Sequence, residues 1–188
     1  MKLQKLFANW LREWQRVDAG VTLDRFRLGG RVSWSFTPQH EFDPTSDWAV
    51  RTSSLRLRAP DSLYAVNPWM TCEISEKGFG FEPDVSVALF DLRSQRWGSI
   101  MGCGTPCLYD DAGWIGDRIV VVAQQTEYYP QDGPLFPDTV VIVPGFAVFD
   151  LAESTLTSYS GPAVPAAKVA DSEVRDYAMR RIGELLGR

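Results

Sequence analysis

The sequence predicts a mainly β protein of the α+β class: a single-domain antiparallel sheet or sandwich of about ten strands, with an amphipathic helix at each terminus. Three observations predict this fold. Residues 118–124 and 139–143 are rich in β-branched residues and almost continuously apolar, as in strands covered on both faces. Short segments of alternating polarity, separated by turn residues, fill most of residues 21–160. Helical spacing of apolar residues occurs only near the two ends.

Length and composition favour one ordinary globular domain over residues 1–188. The chain is 45% apolar and 23% charged, which excludes disordered and fibrous classes. Its net charge of -5 argues against nucleic acid as a partner, because phosphate binding requires clustered Lys and Arg.

We expect a cytoplasmic protein without a membrane span. The chain contains no apolar run long enough to cross a bilayer, and its N-terminus lacks the unbroken apolar stretch of a signal peptide. Three cysteines are few and odd in number, which favours reduced thiols over a disulfide framework.

The N-terminal helix is predicted at residues 1–18, where one stripe of residues 2–17 is apolar. The stripe contains Leu3, Leu6, Phe7, Trp10, Leu11, Trp14 and Val17. So much aromatic surface must be covered. We expect it to pack on the sheet; the alternative is a docking face for a partner, a larger assembly or a membrane surface.

An antiparallel β core is predicted over residues 21–160, beginning with a hairpin that turns at Gly29-Gly30. A Pro- and Asp-rich loop over residues 37–47 follows and contains the only histidine, His40. Further strands are predicted at residues 48–51, 54–59, 70–75, 85–92, 96–101 and 155–160. A connector over residues 161–170 then leads to the C-terminal helix at residues 171–187.

Two predicted hairpins contain the same triplet, Phe90-Asp91-Leu92 and Phe149-Asp150-Leu151, followed by a polar turn and a short strand. This pattern resembles the inner hairpin of a β-propeller blade such as a kelch repeat. The resemblance implies blade-like hairpins, although two blades cannot close a propeller. The simpler interpretation is that an aspartate begins the turn after a strand in any antiparallel sheet.

The insert over residues 125–138 is the most informative functional segment. It joins two central strands and exceeds the roughly 4–6 residues usual for such a connection. Three prolines stiffen it, and its tyrosines, phenylalanine and acidic residues suit a contact surface for a basic protein. The predicted binding residues are Trp114, Tyr128, Tyr129, Asp132, Phe136 and Asp138. Alternatively, these rings cover one end of the sheet.

Neither metal binding nor cysteine catalysis is favoured. Cys103 and Cys107 have a spacing that zinc could use, with Cys72 and His40 as the remaining ligands, but structural zinc sites usually present two close pairs. A cysteine nucleophile with His40 as its base would need segments that no spacing brings together. Buried reduced thiols are the simpler interpretation.

Acidic clusters provide the remaining candidates for catalysis. The pairs Glu41 with Asp43 and Glu82 with Asp84, and the group Asp110, Asp111 and Asp117, all lie beside turn signals and are predicted to be solvated turn carboxylates. The chain contains none of the motifs GxGxxG, P-loop, HExxH or G-x-S-x-G. We therefore expect no catalytic residue, no metal and no cofactor.

The sequence favours a non-catalytic cytoplasmic protein that binds another protein. The acidic net charge favours a basic partner, as for an inhibitor or immunity-type protein. One alternative is a small-molecule-binding β domain or small carboxylate-dependent enzyme with a pocket at the sheet end, lined by Trp114, Tyr128 and carboxylates. Another is a subunit that docks through the N-terminal helix.

Overall fold

The computed structural model describes residues 2–75, 78–81, 84–104, 107–129 and 140–187. Its strands are β1 (Arg27–Ser33), β2 (His40–Glu41), β3 (Leu57–Arg58), β4 (Tyr64–Asn67), β5 (Cys72–Ser75), β6 (Gly78–Phe81), β7 (Val85–Asp91), β8 (Arg96–Cys103), β9 (Cys107–Ile115), β10 (Ile119–Tyr128), β11 (Val141–Asp150), β12 (Thr155–Ser160) and β13 (Val164–Pro165). The helices are α1 (Lys2–Leu6), α2 (Ala8–Val17), α3 (Asp47–Arg51), α4 (Ala166–Val169) and α5 (Tyr177–Leu186). This mainly β architecture, with helices near both termini, confirms the predicted fold class.

Two antiparallel sheets pack face to face. The first has the strand order β1-β12-β11-β10-β9, with β13 paired to β11, and the second has the order β2-β8-β7-β4-β3. Strands β5 and β6 form a separate hairpin. Val66 and Leu89 of the second sheet share an apolar cluster with Val120, Val122 and Phe149 of the first. The main core therefore lies between the two sheets.

The predicted central strands lie in the middle of the first sheet, where β10 pairs with both β9 and β11. Val120 and Val122 face the second sheet, whereas Val121 and Ala123 face the helices, and all four are buried. Burial on both faces explains why this segment lacks alternation of polarity. In the described residues no helix is long and apolar enough to span a membrane.

The apolar stripe of the N-terminal helix packs on the outer face of the first sheet, as expected. Phe7, Trp10, Leu11 and Trp14 are buried in one cluster with Phe146 of β11. The predicted single helix is interrupted at Phe7, which separates α1 from α2. Because the chain's own sheet covers these rings, they offer no docking face for another subunit.

The C-terminal region differs from the prediction in two respects. Its helix is shorter than predicted, and α5 buries Tyr177, Ala178 and Ile182. Residues 161–170 were predicted to be an extended connector, but they include the short strand β13 and helix α4, which buries Val169. Pairing of β13 with β11 gives this segment a partner that its Pro- and Ala-rich composition does not reveal.

The hairpin predicted at Gly29-Gly30 is wrong. Both glycines lie within β1, which pairs with β12 and has a register shift between Leu28 and Gly30. A Cβ atom at Gly29 would lie 3.0 Å from the Ser158 hydroxyl oxygen. The glycine pair therefore permits a close approach at an irregular strand position instead of forming a turn.

The strand predicted at residues 48–51 is also wrong, because this segment forms α3. The Ser46 hydroxyl caps the helix by accepting a hydrogen bond from the Ala49 N–H. Of the strand predicted at residues 54–59, only the two-residue strand β3 remains, after a 3-10 turn at Ser53–Leu55. The outer face of the second sheet carries α3 and an aromatic cluster.

The two Phe-Asp-Leu segments form the same kind of loop. In each, one carboxylate oxygen of the aspartate, Asp91 or Asp150, accepts hydrogen bonds from two backbone N–H groups of its loop. Gln95 and Ser154 then take corresponding left-handed positions, with φ of 52° and 54°. These contacts confirm the simpler interpretation, in which the aspartate begins a turn between two strands.

Candidate functional site

The structure separates Trp114 from the tyrosines with which the sequence grouped it. Trp114 pairs with Val120 near one end of β10, whereas Tyr128 ends the same strand and pairs with Val141. Eight residues of strand correspond to about 26 Å. The Trp114 indole N–H donates a hydrogen bond to the Leu57 carbonyl at 2.8 Å, and the indole ring packs against the core between the sheets. Trp114 therefore stabilises the fold at the end of β10 that is opposite to Tyr128.

Tyr128 and Tyr129 lie at the other end of β10 and reach solvent, with 53% and 47% of their surface exposed. The Tyr129 hydroxyl donates to a Glu127 carboxylate oxygen at 2.7 Å. This hydrogen bond raises the pKa of Tyr129 and holds the ring beside an acidic group. The remaining predicted binding residues, Asp132, Phe136 and Asp138, lie outside the described residues.

A groove of about 470 Å³ adjoins these tyrosines, between α4 and the end of the first sheet. Its apolar wall contains Leu108, Ile142, Ala166 and Val169. Its polar groups are Gln125, Glu127 and Arg175. We refer to this groove, together with Glu127, Tyr128 and Tyr129, as the sheet-end surface. It offers an apolar recess with a carboxylate at its edge.

Cys107 also lines this groove, and the expectation that it is a reduced thiol is contradicted. The structure joins Cys103 and Cys107 in a disulfide, with Cα atoms 6.1 Å apart. Cys72 is free and buried, and burial raises the pKa of its thiol. His40 lies on β2 in the second sheet. Across the described ranges, no three His, Cys, Asp or Glu side chains converge as metal ligands.

Asp110 and Asp111 were predicted to be solvated turn carboxylates, and this is wrong. Both lie within β9, where a register shift leaves Asp110 unpaired with β10. Asp110 is fully buried. Its carboxylate accepts hydrogen bonds at 2.8 Å from the Trp10 indole N–H and from the Gln125 amide. Burial raises the pKa of Asp110 to about 7, although both hydrogen bonds oppose this shift.

Asp111 is 5% exposed and joins the sheet to α5. Its carboxylate lies 3.2 Å from the Arg181 Nε and 3.5 Å from the Tyr177 hydroxyl. Burial raises the pKa of Asp111, while the Arg181 charge lowers it. The bulge in β9 thus holds two adjacent carboxylates under the terminal helices, one tied to α2 and the other to α5.

A cleft of about 600 Å³ lies above Asp111, between the N-terminal helices and α5. Its basic side chains are Lys5, Arg12, Arg16, Arg180 and Arg181. Its acidic side chains are Glu13, Asp111, Glu173 and Glu184. Salt bridges join each acid to one of three arginines, and Arg181 serves two acids. Within the described residues Lys5 and Arg12 make no ion pair. With five basic and four acidic side chains, this interhelical cleft has one net positive charge.

The sequence contained a signal for the aspartate pair that the turn interpretation overlooked. Asp110-Asp111 lies between Leu108-Tyr109 and Trp114, and aromatic residues such as Tyr109 and Trp114 are typical of a strand. The two aspartates and Gly113 also fit a turn, which is why the turn interpretation was preferred. A strand that continues through two acidic residues predicts buried carboxylates with polar partners.

No protein-family model, curated protein or solved structure matches this chain.

Proposed function

We propose that this protein is a non-catalytic binding domain that recognises another protein through the sheet-end surface. The observation that carries the proposal is the pair of half-exposed tyrosines, Tyr128 and Tyr129, beside an apolar groove with Glu127 at its edge. Tyrosine is enriched among the residues that dominate binding energy, because a rigid ring buries much area at little entropic cost.

The described part of this surface has one carboxylate, Glu127, and one guanidinium, Arg175, so the preference for a basic partner rests on Glu127 at the groove edge and on the net charge of the whole protein. An aliphatic side chain of the partner would fill the groove between Leu108 and Ile142, while a Lys or Arg would approach Glu127. The net charge of -5 would draw a basic partner toward the protein before contact. The part of the insert that follows Tyr129 in the sequence contains two more acidic residues, Asp132 and Asp138.

An inhibitor or immunity-type role is a narrower form of this proposal, and it is supported by charge alone. The cytoplasmic location also stays a prediction.

The test is a comparison of affinity captures from cell extract. The wild-type protein and a Tyr128→Ser/Tyr129→Ser variant are immobilised, and Tyr159→Ser serves as the matched control, because Tyr159 is an exposed tyrosine on β12. We expect a protein that the wild type and the control retain, that the double variant does not retain, and that is released as salt rises past ~0.15 M. Equal retention of the same proteins by all three baits would refute the proposal that the sheet-end surface binds the partner.

A second candidate function is the binding of a small anion in the interhelical cleft. The net positive charge and the volume of the cleft favour such a ligand. Inorganic phosphate should raise the melting temperature more than chloride at the same ionic strength. Arg12→Gln should reduce this difference, whereas Arg31→Gln on the exposed strand β1 should preserve it. Equal effects of the two anions on the wild type would exclude this function.

A further inference from the structure

A small pocket with aromatic walls opens on the outer face of the second sheet, away from the sheet-end surface. It has a volume of about 280 Å³. Its principal lining residues are Glu41, Phe42, Asp43, Trp48, Met70 and Trp97. We propose that this aromatic pocket binds an organic ammonium ion, such as a quaternary ammonium group or a methylated lysine side chain.

The walls of the pocket are held in place by the fold. Trp97 on β8 pairs across the strands with His40 and Phe90, whose ring centroids lie 4.6 and 6.0 Å from its own. The Trp48 ring, on α3, lies 6.4 Å from Trp97 at an interplanar angle of 33°. Both indoles are partly exposed. The pocket therefore presents two tryptophans in fixed positions, and tryptophan is the most favourable ring for a cation.

The aromatic cluster already accommodates one cation within the protein. The Arg56 guanidinium carbon lies 4.8 Å from the Phe42 ring centroid and 5.8 Å from that of Phe90. These distances are within the range of cation–π attraction. Arg56 does not line the aromatic pocket, so the wall formed by Trp48 and Trp97 is left for a ligand.

The carboxylates beside the rings favour positive charge over negative charge. Arg96 lies opposite Glu41 on the neighbouring strand and can balance it. Asp43 makes no ion pair within the part of the chain that the structure describes. Its Oδ1 accepts hydrogen bonds from the Thr45 hydroxyl and backbone N–H at 2.7 and 2.8 Å, and these bonds lower the pKa of Asp43. The Asp43 carboxylate therefore stays ionised at neutral pH.

This combination of groups distinguishes an organic cation from other ligands. The rings and the Met70 thioether contact methyl groups well, while Asp43 supplies long-range attraction to the charge. An inorganic anion would meet the unbalanced negative charge of Asp43. A neutral apolar group would gain the ring contacts but not the electrostatic attraction to the rings and Asp43.

The test uses two probes of nearly equal shape. Choline and 3,3-dimethylbutan-1-ol differ at the centre of the head group, which is a charged nitrogen in one and a neutral carbon in the other. Each is titrated into the full chain, and binding is followed by tryptophan fluorescence and calorimetry. We expect choline to bind about tenfold more tightly than the neutral alcohol.

Two variants locate the binding site. Asp43→Asn and Trp97→Leu should each weaken choline binding, whereas Asp150→Asn, which removes the matching turn carboxylate in the first sheet, should not change it. If Trp97→Leu does not fold, the Asp43→Asn variant and the comparison of the two probes still test whether the aromatic pocket binds the cation. The proposal is overturned if choline does not bind, if both probes bind equally, or if Asp43→Asn leaves choline affinity unchanged.

Discussion

The buried carboxyl group of Asp110 should make the free energy of unfolding fall as pH rises from about 4 to about 8. Burial raises the pKa of Asp110 from 3.8 to about 7, so the folded protein favours the protonated carboxyl. The stabilising contribution of this group is therefore complete below pH 3.8 and is lost as pH rises through about 7.

The magnitude follows from the difference between the two pKa values. That difference is about 3, and each pKa unit corresponds to about 1.4 kcal/mol, so the loss is about 4 kcal/mol. This is a large part of the roughly 5–15 kcal/mol that stabilises a typical domain. Asp111 acts in the same direction, because burial also raises its pKa. Asp18, Asp24 and Asp43 have lowered pKa values, so their contributions are lost only in more acidic solution.

The assay is urea unfolding followed by tryptophan fluorescence at a series of pH values. Asp110→Asn is the informative variant, because it is neutral at every pH. The side-chain oxygen of the new asparagine can accept a hydrogen bond from the Trp10 indole N–H. Its amide N–H can donate to Gln125 if the Gln125 amide flips so that its oxygen faces residue 110. We expect the variant to unfold with much less pH dependence than the wild type, and to be the more stable protein at about pH 8.

Asp91→Asn is the control of opposite sign. Burial raises the pKa of Asp91, but its hydrogen bonds to Arg93 and the turn backbone outweigh burial and lower it overall. Its charge therefore stabilises the fold at neutral pH, and the control should lose stability there. A wild-type unfolding free energy that is constant or rises over this pH range, with Asp110→Asn parallel to it, would refute the reasoning.

Three further predictions test other parts of the fold. Trp10→Phe should destabilise the protein by about 1–3 kcal/mol more than Trp14→Phe, as measured by urea unfolding. Both indoles are buried, but only Trp10 donates a hydrogen bond to a described residue. Gly113→Ala should cost about 1 kcal/mol, because its Cβ would lie 2.5 Å from a side-chain carbon of Leu6 on α1 and this half-buried leucine would have to shift; an unchanged melting temperature would contradict this packing. Reduction of the Cys103–Cys107 disulfide should increase the intact mass by the mass of two hydrogens, and an unchanged mass would contradict the disulfide.

The sequence predicted the parts of the fold that depend on local pattern. The apolar segments of β10 and β11 and the helical stripe around Trp10 each specify burial by their spacing alone. The pattern did not predict the role of Gly29 in β1, because a glycine pair fits a tight turn and a bulged strand equally well. Only the long-range pairing with β12 distinguishes these two conformations.

The candidate sites depended more on tertiary contacts. The exposed rings of Tyr128 and Tyr129 were predicted from their position in the insert over residues 125–138. The burial of Asp110 was not, since its partners Trp10 and Gln125 lie 100 and 15 residues away along the chain. Trp114 was assigned to the wrong end of the sheet because sequence proximity does not show which strand end a residue occupies.

Site-specific photo-crosslinking tests the central claim, that the sheet-end surface binds a protein, most directly. Benzoylphenylalanine is placed at Tyr129 in one protein and at Tyr159, the exposed tyrosine on β12, in another, and each is irradiated in cell extract. We expect a discrete crosslinked protein from position 129 that is absent from position 159. A crosslink from position 159 alone, or none from position 129, would contradict the proposed function.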